Sequence, residues 1–383
     1  MKQQAEKKNA GFTLIELMVA MGVTMVLLYT VVQLFRDATY TNMTVVEGAD
    51  MSDNLRAGLN LIQQDLQVAG TGIPVGGVYI PFSPDSTGCA TTAQINRPYP
   101  QVQGVANTTF PKCNPTIPAV EPGNENGPPI TAPDASSGTV QNPNSITDEI
   151  TVLYEDNSLK LDALPVNDAV KCPKGSVVLT GATLTVTFDP ACINLTTAGI
   201  TVQPGDLIIL TNPLGNTMLC VTAVSLSANS LTFSSGDAFG LNGRTEAGGT
   251  INQMEPTGCG GGNACFSGTL ATRVWMVSYY LDNWSSPPYV RLIRQVNFYS
   301  PVPVGETLEN LQFTYNFVDA ITNPANQPSV PAGNSESQIR SVDVFLGARS
   351  TYRVHQGNDI GYARSNLMTQ VSLRSMAYVN RYQ

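Results

Sequence analysis

At 383 residues, 42% of them hydrophobic, the chain is long enough for more than one domain and apolar enough for a sizeable core, which excludes a wholly disordered protein. Charged residues make up only 13%, and a net charge of −9 repels phosphate backbones and acidic headgroups, so nucleic acid is not an expected partner. The 33 glycines and 26 prolines, set among many Ser, Thr and Asn, favour short strands joined by long polar loops.

Residues 1–11, MKQQAEKKNAG, set Lys2, Lys7 and Lys8 against Glu6. From Phe12 to Phe35 the only charged residue is Glu16. As a helix this run reaches roughly 36 Å at about 1.5 Å per residue, enough for a bilayer core. The lysines precede it, while Arg36 beyond it is offset by Asp37, so the leader is expected in the cytoplasm and everything beyond residue 36 outside. A secretory signal would carry its small-residue cleavage site after the apolar stretch, whereas here Gly11 comes before it.

Gly11-Phe12-Thr13-Leu14-Ile15-Glu16, continued through Leu17-Met18-Val19-Ala20, resembles the processing motif of type IV prepilins. The resemblance implies that a membrane aspartic peptidase cuts between Gly11 and Phe12 and methylates the new amine of Phe12. It also gives Glu16 a reason. A carboxylate within a span costs about 3 kcal/mol on insertion scales and needs a partner. The freed amine lies one helical turn away, and in a packed bundle it can meet the glutamate of a neighbouring subunit, which would set the axial register of assembly.

Beyond the span Met51, Leu55, Leu59, Ile62, Leu66 and Ala69 recur at three- and four-residue intervals, predicting an amphipathic continuation that packs on a sheet. No proline falls between Phe12 and Ile73, and Gly70-Thr71-Gly72-Ile73-Pro74 supplies a stop, so one helix from residue 12 to about 70 is expected. Many major pilins carry a helix-breaking proline in the membrane half. Here only Gly22, Gly48 and Gly58 loosen the helix, each by about 1 kcal/mol relative to alanine. Residues 71–147 hold half of the 26 prolines and little periodicity, and read as an irregular, disulfide-tethered region.

From Asp148 onward alternating runs predict half-buried antiparallel strands: Ile150, Val152, Tyr154; Leu184, Val186, Phe188; Leu311, Phe313, Tyr315, Phe317. Thr272 to Leu281 is apolar on both alternations and predicts a central strand, continued as a hairpin into Val290 to Arg294, with Trp275 and Tyr279 in the core. Three further pairs of segments are similar to PilW-type minor pilins. They are Gly205 to Leu210 with Val221 to Val224, Tyr279 to Asp282 with Leu292 to Arg294, and Val342 to Ser350 with Val371 to Arg374.

Seven cysteines lie far from the N-terminus in loop-rich segments, as in an oxidising compartment. Six of them allow about 15 pairings. Proximity and the turn residues between them favour Cys89 with Cys113, Cys172 with Cys192 and Cys259 with Cys265, leaving Cys220 in a buried-strand setting. Around Gly260 to Ala264 the last pair could instead offer zinc two thiolates, but a single histidine and an oxidising location favour the disulfide. That histidine, His355, sits in a polar segment and reads as a surface residue rather than the centre of a triad. Gly70-Thr71-Gly72 lacks the strand and Lys-Ser/Thr of a phosphate loop, and Asp148, Glu149, Glu155 and Asp156 lack the spacing of a calcium loop. No catalytic residue, metal or cofactor is expected.

The sequence thus predicts an α+β protein, a long N-terminal helix packed on an antiparallel β-sheet head with irregular disulfide-tethered loops. Its segments are a cleaved leader, 1–11; a transmembrane segment, 12–35; an amphipathic continuation, 36–70; a Pro/Gly-rich region, 71–147; and a β-rich head, 148–383. The resemblance implies a minor pilin that primes or caps a type IV pilus, with the major pilin, other minor pilins, the prepilin peptidase, an inner-membrane assembly platform and membrane lipid as partners. It would be stored in the inner membrane with its head in the periplasm, then carried in a surface filament. A type II secretion pseudopilin shares the same N-terminal logic, and a tip adhesin with a ligand-binding head is the alternative from another class.

Overall fold

The structure, a computed structural model, describes residues 13–74, 76–84, 90–92, 116–130, 146–156, 161, 165–197, 201–243, 250–282, 290–356 and 359–374. Leu14–Val68 is one helix of 55 residues, unbroken at Gly22, Gly48 and Gly58. At Gly58 the missing side chain has a packing use: a Cβ there would come within 2.7 Å of Leu292 Cδ2. The helix ends where Gly70 and Gly72 take φ of 81° and 68°, values that side-chain-bearing residues resist. The chain is then tied to the neighbouring strand, the Gly70 N–H donating to Leu153 O at 2.9 Å and the Glu155 N–H to Thr71 O at 2.8 Å.

Two compact units share this chain. One comprises Met1–Asp50 with Ser350–Ala363, the other Met51–Arg349 with Arg364–Gln383.

In the larger unit all strand pairings are antiparallel. The 13-residue strand Leu270–Asp282 organises a seven-stranded sheet. Along one edge it pairs first with Leu207–Asn212 and then with Arg291–Val296, while its other edge takes Glu149–Glu155, Val274 standing between Leu207 and Glu155. Gly215–Cys220, Val302–Glu306 and Val120–Gly123 complete the sheet. Val120–Gly123 comes from the stretch 71–147, where the described residues also form two-stranded pairs between Val78–Tyr79 and Thr116–Ile117 and between Phe82–Pro84 and Ala90–Thr92. These strands hold two to four residues, too short for a periodic pattern to register.

A three-stranded sheet runs Leu308–Phe317, Ile339–Arg349, Arg364–Ser372, and a four-stranded one Ala223–Ser225, Ser230–Phe233, Thr183–Thr187, Ser176–Thr180. The three segment pairs singled out in the sequence are neighbours here. Gly205 N–H donates to Val221 O, Tyr279 stands opposite Arg294, and Val342 opposite Val371.

Among the described residues, three apolar clusters lie in the larger unit. Met51, Leu55, Leu59, Ile62 and Leu66 of the helix meet Ile150, Val152, Tyr279 and Leu292 of the seven-stranded sheet and Phe313, Tyr315 and Val344 of the three-stranded one. Ile208 and Leu210 face a second cluster around Phe188, Phe233 and Phe266, and Leu207 and Ile209 face a third around Met218, Phe239 and Met276. Burial on both faces explains why such strands read as continuous apolar runs. Thr183–Thr187 and the run from Leu311 to Phe317 alternate as their patterns predict. Glu149–Glu155 is buried on both faces rather than half-buried, because Thr151 and Ser278 satisfy each other across the ladder at 2.8 Å.

Polar groups lock the helix to its sheet. Asp65, on the buried stripe, accepts Tyr154 Oη at 2.9 Å, Tyr279 Oη at 2.5 Å, Arg294 Nε at 2.8 Å and Arg294 Nη2 at 3.2 Å. Burial first, then the Asp65 charge, push both phenols up, so they stay protonated donors. Deeper in the sheet, Arg273 is held by Asp156, Asp206 and the Thr201 carbonyl, with its guanidinium 4.7 Å from the half-buried Trp275 ring.

Candidate functional site

Thr13 and Glu16 build the start of the helix. The Glu16 N–H donates to Thr13 Oγ1 at 3.3 Å, and the Thr13 N–H and hydroxyl donate to Glu16 Oε2 at 2.9 and 3.0 Å. This is a capping box, two residues each satisfying a backbone donor that the first turn would leave open. Within a single chain the Glu16 carboxylate is therefore occupied by its own helix start. Gly11 and Phe12 lie outside the described residues.

The following turns present mostly apolar side chains outward. Leu14, Ile15, Met18, Met25, Leu34 and Phe35 are all exposed, and this is the one helix among the described residues long and apolar enough to cross a membrane. Two threonine hydroxyls in these turns fold back onto the backbone, Thr24 donating to Ala20 O at 2.7 Å and Thr30 to Leu27 O at 2.8 Å. Arg36 marks the end of the apolar stretch, its Nε donating to Tyr40 Oη at 3.0 Å.

That N-terminus matches the family model described as the prokaryotic N-terminal methylation motif, over residues 7–28. The match supports a type IV prepilin-like protein. Proteins with this motif are structural rather than catalytic, and the motif implies prepilin peptidase processing and assembly with pilins in general. The apolar helix and the prepilin motif together fit a membrane-anchored pilin. Neither a curated protein nor a solved structure matches the chain.

In the larger unit of this prepilin-like chain, Cys172 is bonded to Cys192 and Cys259 to Cys265, while Cys220 is free and buried. Burial first, then Asp237 and Asp206, push the Cys220 thiol up to about 12, so it carries no thiolate reactivity at neutral pH. Cys89 and Cys113 lie outside the described residues. Glu255 stands beside Cys259 and Cys265, but both sulfurs are consumed by the disulfide and the Glu255 carboxylate accepts the Gly261 N–H. His355 belongs to the short strand Val354–Gln356, and its side chain lies outside the described residues.

Asp148 accepts the N–H groups of Glu125 at 2.9 Å and Phe313 at 2.8 Å, joining the seven-stranded and three-stranded sheets. Desolvation outweighs those bonds and pushes its carboxyl up to about 6. Sequence reasoning had not singled out Thr13, Asp65 or Asp148 for these roles. The first was accessible as a Thr-x-x-Glu capping box at the head of an apolar run, and the second as an acid on the same face as Leu55, Ile62 and Leu66. The third carries no local signal, since its partners are distant in the chain.

Proposed function

We propose that the chain is a minor pilin of the PilW type, a structural subunit that primes or caps a type IV pilus after removal of residues 1–11. The observation that carries this reading is the methylation motif at the head of an exposed apolar helix whose first turn is capped by Glu16. Cleavage between Gly11 and Phe12 turns the Phe12 nitrogen into a cationic, methylatable amine. Glu16 then has two possible partners, its own Thr13 cap and the amine of a neighbouring subunit. Exchange of the first for the second keeps the carboxylate satisfied while the helix moves from lipid into a helical bundle. The large β-rich unit favours an end position, because a bulky head is harder to repeat along a close-packed fibre.

Mass analysis of the mature protein tests the processing step. A chain beginning at N-methylated Phe12 is expected, and any other N-terminus sinks the assignment. Recovery of the protein with sheared pili, in substoichiometric amount to the major subunit, tests the minor-pilin role. Recovery only with a secretion-system pseudopilus would favour the pseudopilin reading.

A further inference from the structure

The segment Ser350–Ala363 leaves the three-stranded sheet after Arg349 and returns at Arg364, and these two arginines face each other across the ladder. Between them it forms its own hairpin, Val354–Gln356 against Asp359–Gly361. The base is closed by Ser350, whose hydroxyl donates to Tyr352 O at 2.7 Å and accepts the Ala363 N–H at 3.0 Å. It is tied to the long helix at Glu47: the N–H groups of Thr351 and Tyr352 both donate to Glu47 Oε2, at 2.7 and 3.3 Å.

Glu47 shares a helix face with Thr44 and Tyr40, and all three are half-buried on a stretch that is otherwise largely exposed. That stripe descends from Glu47 toward Arg36, where the apolar segment ends. The step from Glu47 to Arg36 covers roughly 17 Å at about 1.5 Å per residue. A hairpin limb of about six residues covers roughly 20 Å at about 3.3 Å per residue. An arm based at Glu47 and lying along this stripe therefore reaches the level at which the span leaves the hydrocarbon.

The arm carries residues suited to that level. Ile360, toward the far end of the hairpin, is 58% exposed. The exposed Arg353 sets its guanidinium 5.7 Å from the Tyr362 ring, and on the helix Arg36 lies 5.3 Å from the Tyr40 ring. Tyrosines with an apolar ring and a polar tip, and arginines that extend their charge toward phosphate, concentrate at the headgroup boundary. A two-stranded hairpin has little stability by itself and gains from such cover.

We propose that Ser350–Ala363 is an interfacial anchor that seats Ile360 and Tyr362 among the lipid headgroups at the outer end of the span, beside Arg36 and Tyr40. This rests on the reading of the chain as a membrane-stored subunit. In that state the arm holds the helix at a fixed depth, and it must leave the headgroups when the subunit is extracted.

Full-length chains bearing Ile360→Cys, Val23→Cys or Ile321→Cys, each labelled with an environment-sensitive fluorophore, test the proposal in phosphatidylethanolamine and phosphatidylglycerol vesicles. The unsubstituted chain labelled in parallel supplies the background. The vesicles carry spin-labelled lipid quenchers at shallow or deep positions. A label at residue 360 is expected to be quenched several-fold more by the shallow quencher than one at residue 321, which sits on a loop 87% exposed at that position. Equal, weak quenching at 360 and 321 with strong deep quenching at 23 overturns the anchor and leaves the span intact. A 360 label shielded from an aqueous quencher but untouched by lipid quenchers points to a second copy covering the arm, and also overturns it. Absence of quenching at 23 removes the membrane reading and the anchor with it.

Discussion

Replacing Asp65 by alanine removes one acceptor from four donors at once: the hydroxyls of Tyr154 and Tyr279 and two nitrogens of Arg294. Breaking an enclosed ion pair from one side costs about 3–5 kcal/mol, because the remaining charge is stranded away from water. The Arg294 side chain keeps 26% of its surface exposed, which sets the cost at the low end of that range. Tyr279 is only 1% exposed and cannot turn to solvent, so its stranded hydroxyl adds roughly 1 kcal/mol. Asp65→Ala should therefore lose about 4 kcal/mol, measured by urea unfolding of the detergent-solubilised protein with tryptophan emission as the probe. Asp65→Leu combined with Arg294→Met should recover most of this, since an apolar pair of similar volume leaves no buried charge unpaired. A loss below about 1 kcal/mol for Asp65→Ala, or a double variant no better than the single one, would refute the argument that the network clamps helix to sheet.

Asp148 makes a pH-dependent contribution. Its folded-state carboxyl, at about 6, lies above the ordinary 3.8, so the native state binds the proton more tightly. That stabilisation is complete below about pH 4 and is lost as pH rises through about 6, a change of up to roughly 3 kcal/mol. The difference in unfolding midpoint between the parent and Asp148→Asn should vary over this window, and a difference independent of pH would contradict it. Opening the Cys172–Cys192 bridge, which closes a 20-residue separation, should cost about 3 kcal/mol, seen as a lower thermal midpoint of Cys172→Ser/Cys192→Ser with the helix still membrane-inserted. Glu16→Ala should insert normally but enter filaments poorly. Wild-type amounts of the variant in sheared fibres would remove the pairing role.

The long helix was legible because its signal is local and redundant: no proline from Phe12 to Ile73, apolar residues at helical spacing, and two glycines followed by Pro74. The strands with one wet face were legible for the same reason, and from Leu311 to Phe317 every second residue is buried as the pattern says. Legibility ended where tertiary partners decide. Asp65 looks like any polar residue of an amphipathic helix until Tyr279 and Arg294, over two hundred residues later, arrive on either side of its carboxylate. Gly58 reads as a weak point in a helix, whereas the seven-stranded sheet makes it a point of close approach. At the N-terminus the methylation motif was legible because it is one continuous stretch, but the segment around His355 looked like an ordinary polar loop because its tie to Glu47 joins residues about three hundred apart in the chain.

The direct pairing of Arg349 with Arg364 has a consequence for how this chain can vary. The fourteen residues from Ser350 to Ala363 begin and end one strand spacing apart, roughly 5 Å, a gap that a two-residue turn closes. They are an insertion in the strict sense: excised and replaced by Asn-Gly, they would leave the register from Ser341–Ser372 to Arg349–Arg364 untouched. A lineage can therefore lengthen, recode or delete this segment without refolding the sheet that bears it, and a laboratory can exchange it between relatives as a cassette.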